Sequence, residues 1–170
     1  MYIESEDRVD HPADEVYKLV RDDLPKLLPY LPDVEEVTKI SSERESETRL
    51  RVVNRWTAKA AVPKLVQKFL PANIFTWTDR ALWKDDENSV DYELEGFGYN
   101  VKGTNYFTAD GDGTTIKVTA TVTIHPEKFK VPKLLFNKVF PAIEGTVKKA
   151  LQPNLTSLAK GLKSYFAAND

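Results

Sequence analysis

Apolar residues recur at every second position through the middle of this chain, and at every third or fourth position near its end. The cleanest alternation runs over 115–124: Ile116, Val118, Ala120, Val122 and Ile124 share one face, and Lys117, Thr119, Thr121 and Thr123 the other. That period predicts a strand with one side in a core and the other in water. The same period marks 43–58, where Thr48, Leu50, Val52, Asn54 and Trp56 oppose Arg49, Arg51 and Arg55. Further strands are predicted at 2–9, 74–83, 89–97 and 99–108. Residues 84–88 and the Asp110-Gly111-Asp112-Gly113 run supply turns, since Asp and Gly accept positive φ. Gly96, Gly98 and Gly103 predict bends or bulges.

Helical signals flank this block. After the first strand, Asp10 is a candidate cap, Pro12 suits a first turn, and Asp14 and Glu15 suit the positive end of a helix dipole. Val16, Leu19 and Val20 give that helix an apolar stripe, and Pro25, Pro29 and Pro32 break the next stretch into a second short helical piece. From about 133 to 166 one long amphipathic helix is predicted. Ile143, Val147, Leu151, Leu155, Leu158, Leu162 and Tyr165 form its stripe, Pro141 sits in its first turn, and a kink is expected at Pro153. Segment 62–71 reads as a short helix or lid bounded by Pro63 and Pro71. The expected architecture is α+β: a curved antiparallel sheet of six or seven strands wrapped around the C-terminal helix, with two short helices after the first strand, all in one domain spanning 1–170. A sheet laid over one long helix tends to enclose a hollow, which is a place for a ligand.

Composition narrows the function. The 170 residues include 41% hydrophobic positions, enough for a core, and a net charge of −2 with the two signs interspersed. That pattern gives no expectation of nucleic-acid binding. The absence of cysteine removes disulfides, thiolate metal sites and a Cys nucleophile. With no basic, apolar leader and no apolar run near the ~20 residues of a membrane span, a cytoplasmic location is expected.

Three stretches resemble the START-like helix-grip superfamily, which includes lipid-transfer domains, plant allergen-type carriers, polyketide cyclases and coenzyme Q-binding proteins. The opening Arg8-Val9-Asp10-His11-Pro12-Ala13-Asp14-Glu15-Val16-Tyr17 is similar to its strand-then-helix start. Leu27-Leu28-Pro29-Tyr30-Leu31-Pro32-Asp33-Val34 resembles its second short helix entering the next strand, and the closing hairpin and long helix match the rest. Segment 62–71 departs from the plainest members. The resemblance implies a cavity between sheet and helix for a lipid, sterol, quinone or aromatic polyketide.

Strand phase selects the candidate ligand-binding residues. Trp56, Trp77 and Trp83 fall on inward positions, where they stack on a flat ligand or fill the core. Asn54, Asp79, Tyr92 and Asn105 are polar at inward positions and need buried partners, which a ligand, water or one another can supply. Phe107, with Ile143, Val147 and Leu151 from the helix stripe, completes the expected lining. The two Val-Pro-Lys-Leu segments beginning at Val62 and Val131 are basic and amphipathic. Leu65, Phe69, Leu135 and Phe136 are expected to gate the cavity, with transient contact to an anionic membrane surface as a further role of the surrounding lysines.

No catalytic residue, metal site or cofactor is indicated. His11 and His125 read as surface turn residues, and the Asp22-Asp23, Glu35-Glu36 and Asp85-Asp86 pairs as solvated turns. The expected function is binding or transport of a hydrophobic small molecule. The alternatives are a cyclase, dehydratase or hydrolase using the same cavity, or an interaction module whose interior is dry and below ~300 Å³. Sequence gives no expectation for the oligomeric state.

Overall fold

The computed structural model describes residues 1–170. Its elements are β1 (Tyr2–Val9), α1 (Ala13–Asp22), β2 (Val34–Arg44), β3 (Arg49–Ala58), β4 (Thr76–Lys84), β5 (Ser89–Gly96), β6 (Tyr99–Asp110), β7 (Gly113–Ile124), α2 (Phe136–Thr156) and α3 (Leu158–Asn169), with a 3-10 turn at Leu24–Tyr30 after α1. The seven strands form one antiparallel sheet in the order β1-β7-β6-β5-β4-β3-β2. This is the helix-grip arrangement, with α2 and α3 lying across the concave face.

The sheet has two distinct ends. At one, the strands of the β2–β3, β4–β5 and β6–β7 hairpins turn back on themselves. At the other, which we call the loop end, β1, β2, β4 and β6 begin and β3, β5 and β7 finish, so the longer connections 59–75 and 125–135 leave from there. The inward rows are continuous across strands. Val52 pairs with Ala81, Ala81 with Tyr92, Tyr92 with Gly103 and Gly103 with Ala120. Gly103 is required by a close approach: a Cβ there would stand 2.1 Å from the Thr119 carbonyl oxygen and 2.5 Å from the Tyr92 hydroxyl. Tyr92 lies across that gap and donates to the Thr119 carbonyl at 3.2 Å.

Local expectations differ from the structure at five places, the simplest being Pro141, which lies in the second turn of α2 rather than the first. Pro12 does not occupy the first turn of α1 but precedes it. Its ψ of 142° is extended, no side chain caps the helix, and its carbonyl accepts the first helical bond from Val16 at 3.1 Å. The run read as one strand over 43–58 is the end of β2, a turn and β3. Segment 62–71 forms no α-helix, only a 3-10 turn at Gln67–Phe69, since so short a piece gains too few bonds to offset nucleation. The terminal helix is broken at Ser157 (φ −91°, ψ 1°) rather than at Pro153, which stays helical and whose carbonyl still accepts the Ser157 N–H at 2.9 Å.

The carboxylate of Asp85 is not a solvated turn group. Tyr17 donates to it at 2.8 Å, and it pairs with Arg21 at 2.9 Å and Arg44 at 2.7 Å, joining α1, β2 and the β4–β5 turn. Burial alone would raise its pKa, but the bonds from Arg44, Tyr17 and Arg21 outweigh that and hold it below the usual carboxylate range. Its contribution is therefore present above that range and fades as pH falls through it. Asp85→Ala strands Arg44 and the Tyr17 phenol and takes one of two carboxylate partners from Arg21, which keeps Asp22 at 2.7 Å, and is expected to cost about 2–3 kcal/mol in urea unfolding at neutral pH, with a smaller loss in acid. His11 is likewise held rather than free: its ring lies 3.7 Å from that of Phe166 and its Nε2 is 2.8 Å from Asp170 Oδ2, so it ties the end of α3 to the start of α1.

Candidate functional site

Between the β3–β6 part of the concave face and the α2–α3 junction lies a cavity of about 100 Å³ lined by eighteen residues, thirteen of them hydrophobic. Its floor is sheet: Asn54 and Trp56 from β3, Trp77, Asp79, Ala81 and Trp83 from β4, Val90, Tyr92 and Leu94 from β5, and Asn105 from β6. Its cover is Val20 of α1, Leu24 of the 3-10 turn, Leu31, Val34, and Asn154, Leu155, Ser157 and Leu158 around the helix break. Hence seven of the residues expected from strand phase are brought together: Asn54, Trp56, Trp77, Asp79, Trp83, Tyr92 and Asn105.

The other four expected lining residues lie elsewhere. Phe107, Ile143, Val147 and Leu151 are at most 1% exposed and pack in the solid core. Phe107 stands edge-on to Tyr17 and beside Trp83, with ring centroids 5.7 and 6.2 Å apart, and so backs the cavity wall rather than facing into it. Of the expected gate residues, none lines the cavity. Leu65, Leu135 and Phe136 are exposed and Phe69 packs against the core. They sit at the loop end, on its connections and, for Phe136, at the first residue of α2, whereas the cavity is covered by α1, the 3-10 turn and the helix break.

The aromatic wall is ordered. Trp56 and Trp77, cross-strand partners, stack with centroids 6.5 Å apart and planes 10° from parallel. Trp83 meets Tyr17 edge-on at 5.2 Å. The two roles weighed for these tryptophans coincide here, because the same rings that fill the core form the wall.

The polar groups of the site are under-used. Asp79 is the cross-strand neighbour of Asn54, and its Oδ2 accepts the Trp56 Nε1–H at 3.1 Å. Its Oδ1 has no partner. The accessible surface Asp79 retains borders the cavity. Burial pushes its pKa up to about 7, against which the Trp56 bond acts weakly. Asn154 donates to the Ala150 carbonyl at 2.7 Å, leaving its Oδ1 free, and Asn105 Oδ1 is also unpartnered. These three are the only buried side-chain oxygens of the protein without a hydrogen-bond partner. Buried polar atoms are satisfied nine times in ten or more, so three in one cavity mark a polar demand. Tyr92 cannot answer it, since its hydroxyl proton is engaged with Thr119 and burial, followed by the charge of Asp79, keeps its phenol protonated.

Volume and polarity pull in different directions. About 100 Å³ is below the ~300–1,000 Å³ of pockets that hold drug-sized ligands, but well above the ~10–15 Å³ that one water needs. The interior is small, and its polar lining is not that of a dry core. A larger depression of about 470 Å³ on the opposite face is a trough between charged side chains, among them Arg80, Asp91, Glu93 and Lys102, whose charges are paired with neighbours.

Sequence reading missed the cover residues and the floor residues Ala81, Val90 and Leu94. The one available signal was Asn154, a polar residue three positions after Leu151 on the apolar stripe.

Over residues 3–163 the sequence matches the family described as polyketide cyclase / dehydrase and lipid transport. No curated protein matches it. Among solved structures, that of TTHA0849 from Thermus thermophilus aligns with a TM-score of 0.71 at 26% identity, covering 100% of this chain and 99% of that one. Zhui aromatase/cyclase from Streptomyces sp. R1128 aligns with a TM-score of 0.65 at 18% identity, covering 100% and 96%. Ara h 8.0201 aligns with a TM-score of 0.57 at 16% identity, covering 99% of each chain. The last two likenesses are of fold.

Proposed function

Given that the chain belongs to the polyketide cyclase/dehydrase and lipid transport family, we propose that its concave cavity binds a flat, mainly apolar small molecule carrying at least one polar group. The observation that supports this most is the trio of unpartnered oxygens, Asp79 Oδ1, Asn105 Oδ1 and Asn154 Oδ1, set in a wall of three tryptophans. The two amide oxygens accept hydrogen bonds, and Asp79 Oδ1 accepts when ionised and donates when protonated, which favours a ligand with hydroxyl or N–H groups; the ring system would lie against Trp56, Trp77 and Trp83.

A ligand larger than one ring must enlarge the cavity, and the cover can give way without breaking the sheet. Ser157 and Leu158 sit at the break between α2 and α3, and α3 rests on the 3-10 turn, with Tyr165 edge-on to Tyr30 at 5.8 Å. Swinging α3 about Ser157 would open the cavity without breaking a strand pairing. Native mass spectrometry of the protein purified from cells that make it, followed by extraction, tests the reading. A bound apolar molecule with hydrogen-bond donors is the expected result, and a protein that stays ligand-free in extracts and with added ring compounds contradicts it.

A second reading, catalysis in the same cavity, is favoured by Asp79 alone. A carboxyl with a pKa of about 7 can both give and take a proton near neutrality, as a general acid–base group in a cyclisation or dehydration must. Asp79→Asn separates the two readings. Unchanged ligand retention together with loss of any conversion of that ligand assigns a reaction, whereas unconverted ligand in both proteins assigns binding alone.

A further inference from the structure

The loop end of the sheet carries a feature that ligand binding does not use. Of nine large exposed hydrophobic side chains, five stand at that end: Leu65, Phe97, Leu134 and Leu135 on its connections and Phe136 at the first residue of α2. Leu134 is 99% exposed, as far into solvent as a side chain can stand. Stretches 59–78 and 125–143, which hold four of the five, contain seven lysines and one glutamate, a net of +6, so the rest of a chain whose net charge is −2 carries −8. None of those seven lysines takes part in a salt bridge, although six other lysines of the chain do. Unpaired lysines and protruding apolar tips therefore share the two long connections at one end of the sheet.

We propose that the loop end docks on an anionic lipid bilayer, with Leu134, Leu135 and Phe136 entering the headgroup–acyl boundary while Lys64, Lys68, Lys133 and Lys138 meet the anionic headgroups. No helix of the protein is long and apolar enough to cross a membrane, so the contact is interfacial. Lipid fits better than a protein partner because Leu134, Leu135 and Phe136 are consecutive tips at the entry to α2, flanked by unpaired lysines, rather than the lining of a groove, and a fluid boundary needs no matching pocket. The proposal stands independently of what the cavity holds.

The chain has no cysteine, so a single introduced one can be labelled cleanly. Leu134→Cys carrying an environment-sensitive fluorophore, mixed at low salt with vesicles of equal parts phosphatidylcholine and phosphatidylserine, is expected to shift to the blue as the protein sediments with the vesicles. Ile40→Cys, an exposed site on β2, is the control and stays unshifted. Added salt reverses binding. Charge reversal of Lys64, Lys68, Lys133 and Lys138 weakens it by about fivefold or more per lysine while leaving the thermal melt unchanged. Failure to sediment at low salt, equal binding to pure phosphatidylcholine, or sedimentation without a shift at Leu134 each overturns the proposal. The first of these, joined to capture of the labelled protein by an acidic protein surface, would give the face to a protein partner instead.

Discussion

Asp79→Asn is expected to raise stability at about pH 8 by up to about 4 kcal/mol while changing it little at about pH 3. The sign is set by the proton. In the unfolded chain Asp79 ionises around 3.8, whereas burial holds its folded pKa near 7. Between those values the folded protein keeps a proton that the unfolded chain has released, so stability falls as pH rises through that window and levels off above it. Three units at about 1.4 kcal/mol each set the magnitude. Asparagine keeps an acceptor for the Trp56 Nε1–H and removes the ionisation. Urea unfolding of both proteins at the two pH values measures the difference, and parallel pH profiles would contradict the assignment. A residue that lowers stability at neutral pH and yet occupies the cavity floor fits a group retained for its chemistry toward a ligand.

The second large effect is expected at Ala81. It lies on the cavity floor between Asp79 and Trp83 on β4, and its cross-strand neighbours are Val52 and Tyr92. Leucine there would place its extra carbons in space that is now open, and filling it should be neutral or stabilising by up to about 2 kcal/mol. The same change should abolish ligand uptake, since about 100 Å³ leaves no room for both. Ala120 is the control: it sits on the same inward row, two strands beyond Tyr92, but is 1% exposed in solid core. Ala120→Leu should cost about 1–3 kcal/mol by overpacking. Thermal melts and a ligand-binding titration on the two variants separate a real cavity from a packing irregularity. If Ala81→Leu destabilises as much as Ala120→Leu, the cavity does not exist in solution.

The legibility of these features in the sequence is uneven for physical reasons. Strands β3 to β7 announce themselves because each has one dry and one wet face. Strand β2 does not, since it is an edge strand and only Val34 on it is buried, so its residues lack the alternation and its end merges with β3. The polar cavity residues are visible for the opposite reason: Asn54, Asp79 and Asn105 interrupt apolar rows at the inward phase, where a polar side chain needs a purpose. The helix stripe is ambiguous. Ile143, Val147 and Leu151 have the same spacing as Leu155 and Leu158, and periodicity cannot say which part of a stripe meets solid sheet and which part meets a hollow. Asp85 is beyond reach, because Tyr17 is 68 and Arg44 41 positions away in sequence. Leu65, Leu135 and Phe136 stand out in the sequence as apolar residues among lysines, but only the placement of the connections at the loop end separates that surface from the cavity cover.

The tryptophan-walled cavity is proposed to receive a ligand that Asp79 faces. The most direct test is a two-dimensional nitrogen–proton spectrum of the three tryptophan indole N–H groups, recorded while a hydroxylated bicyclic ring such as 2-naphthol is added. The expected result is that the Trp56, Trp77 and Trp83 indole signals move together and saturate, that backbone amides on the outer face of the sheet stay still, and that in the free protein the Trp56 signal titrates with the carboxyl it donates to, near pH 7. Indole signals that stay fixed while amides elsewhere respond to the ligand, with a Trp56 signal indifferent to pH, would contradict it.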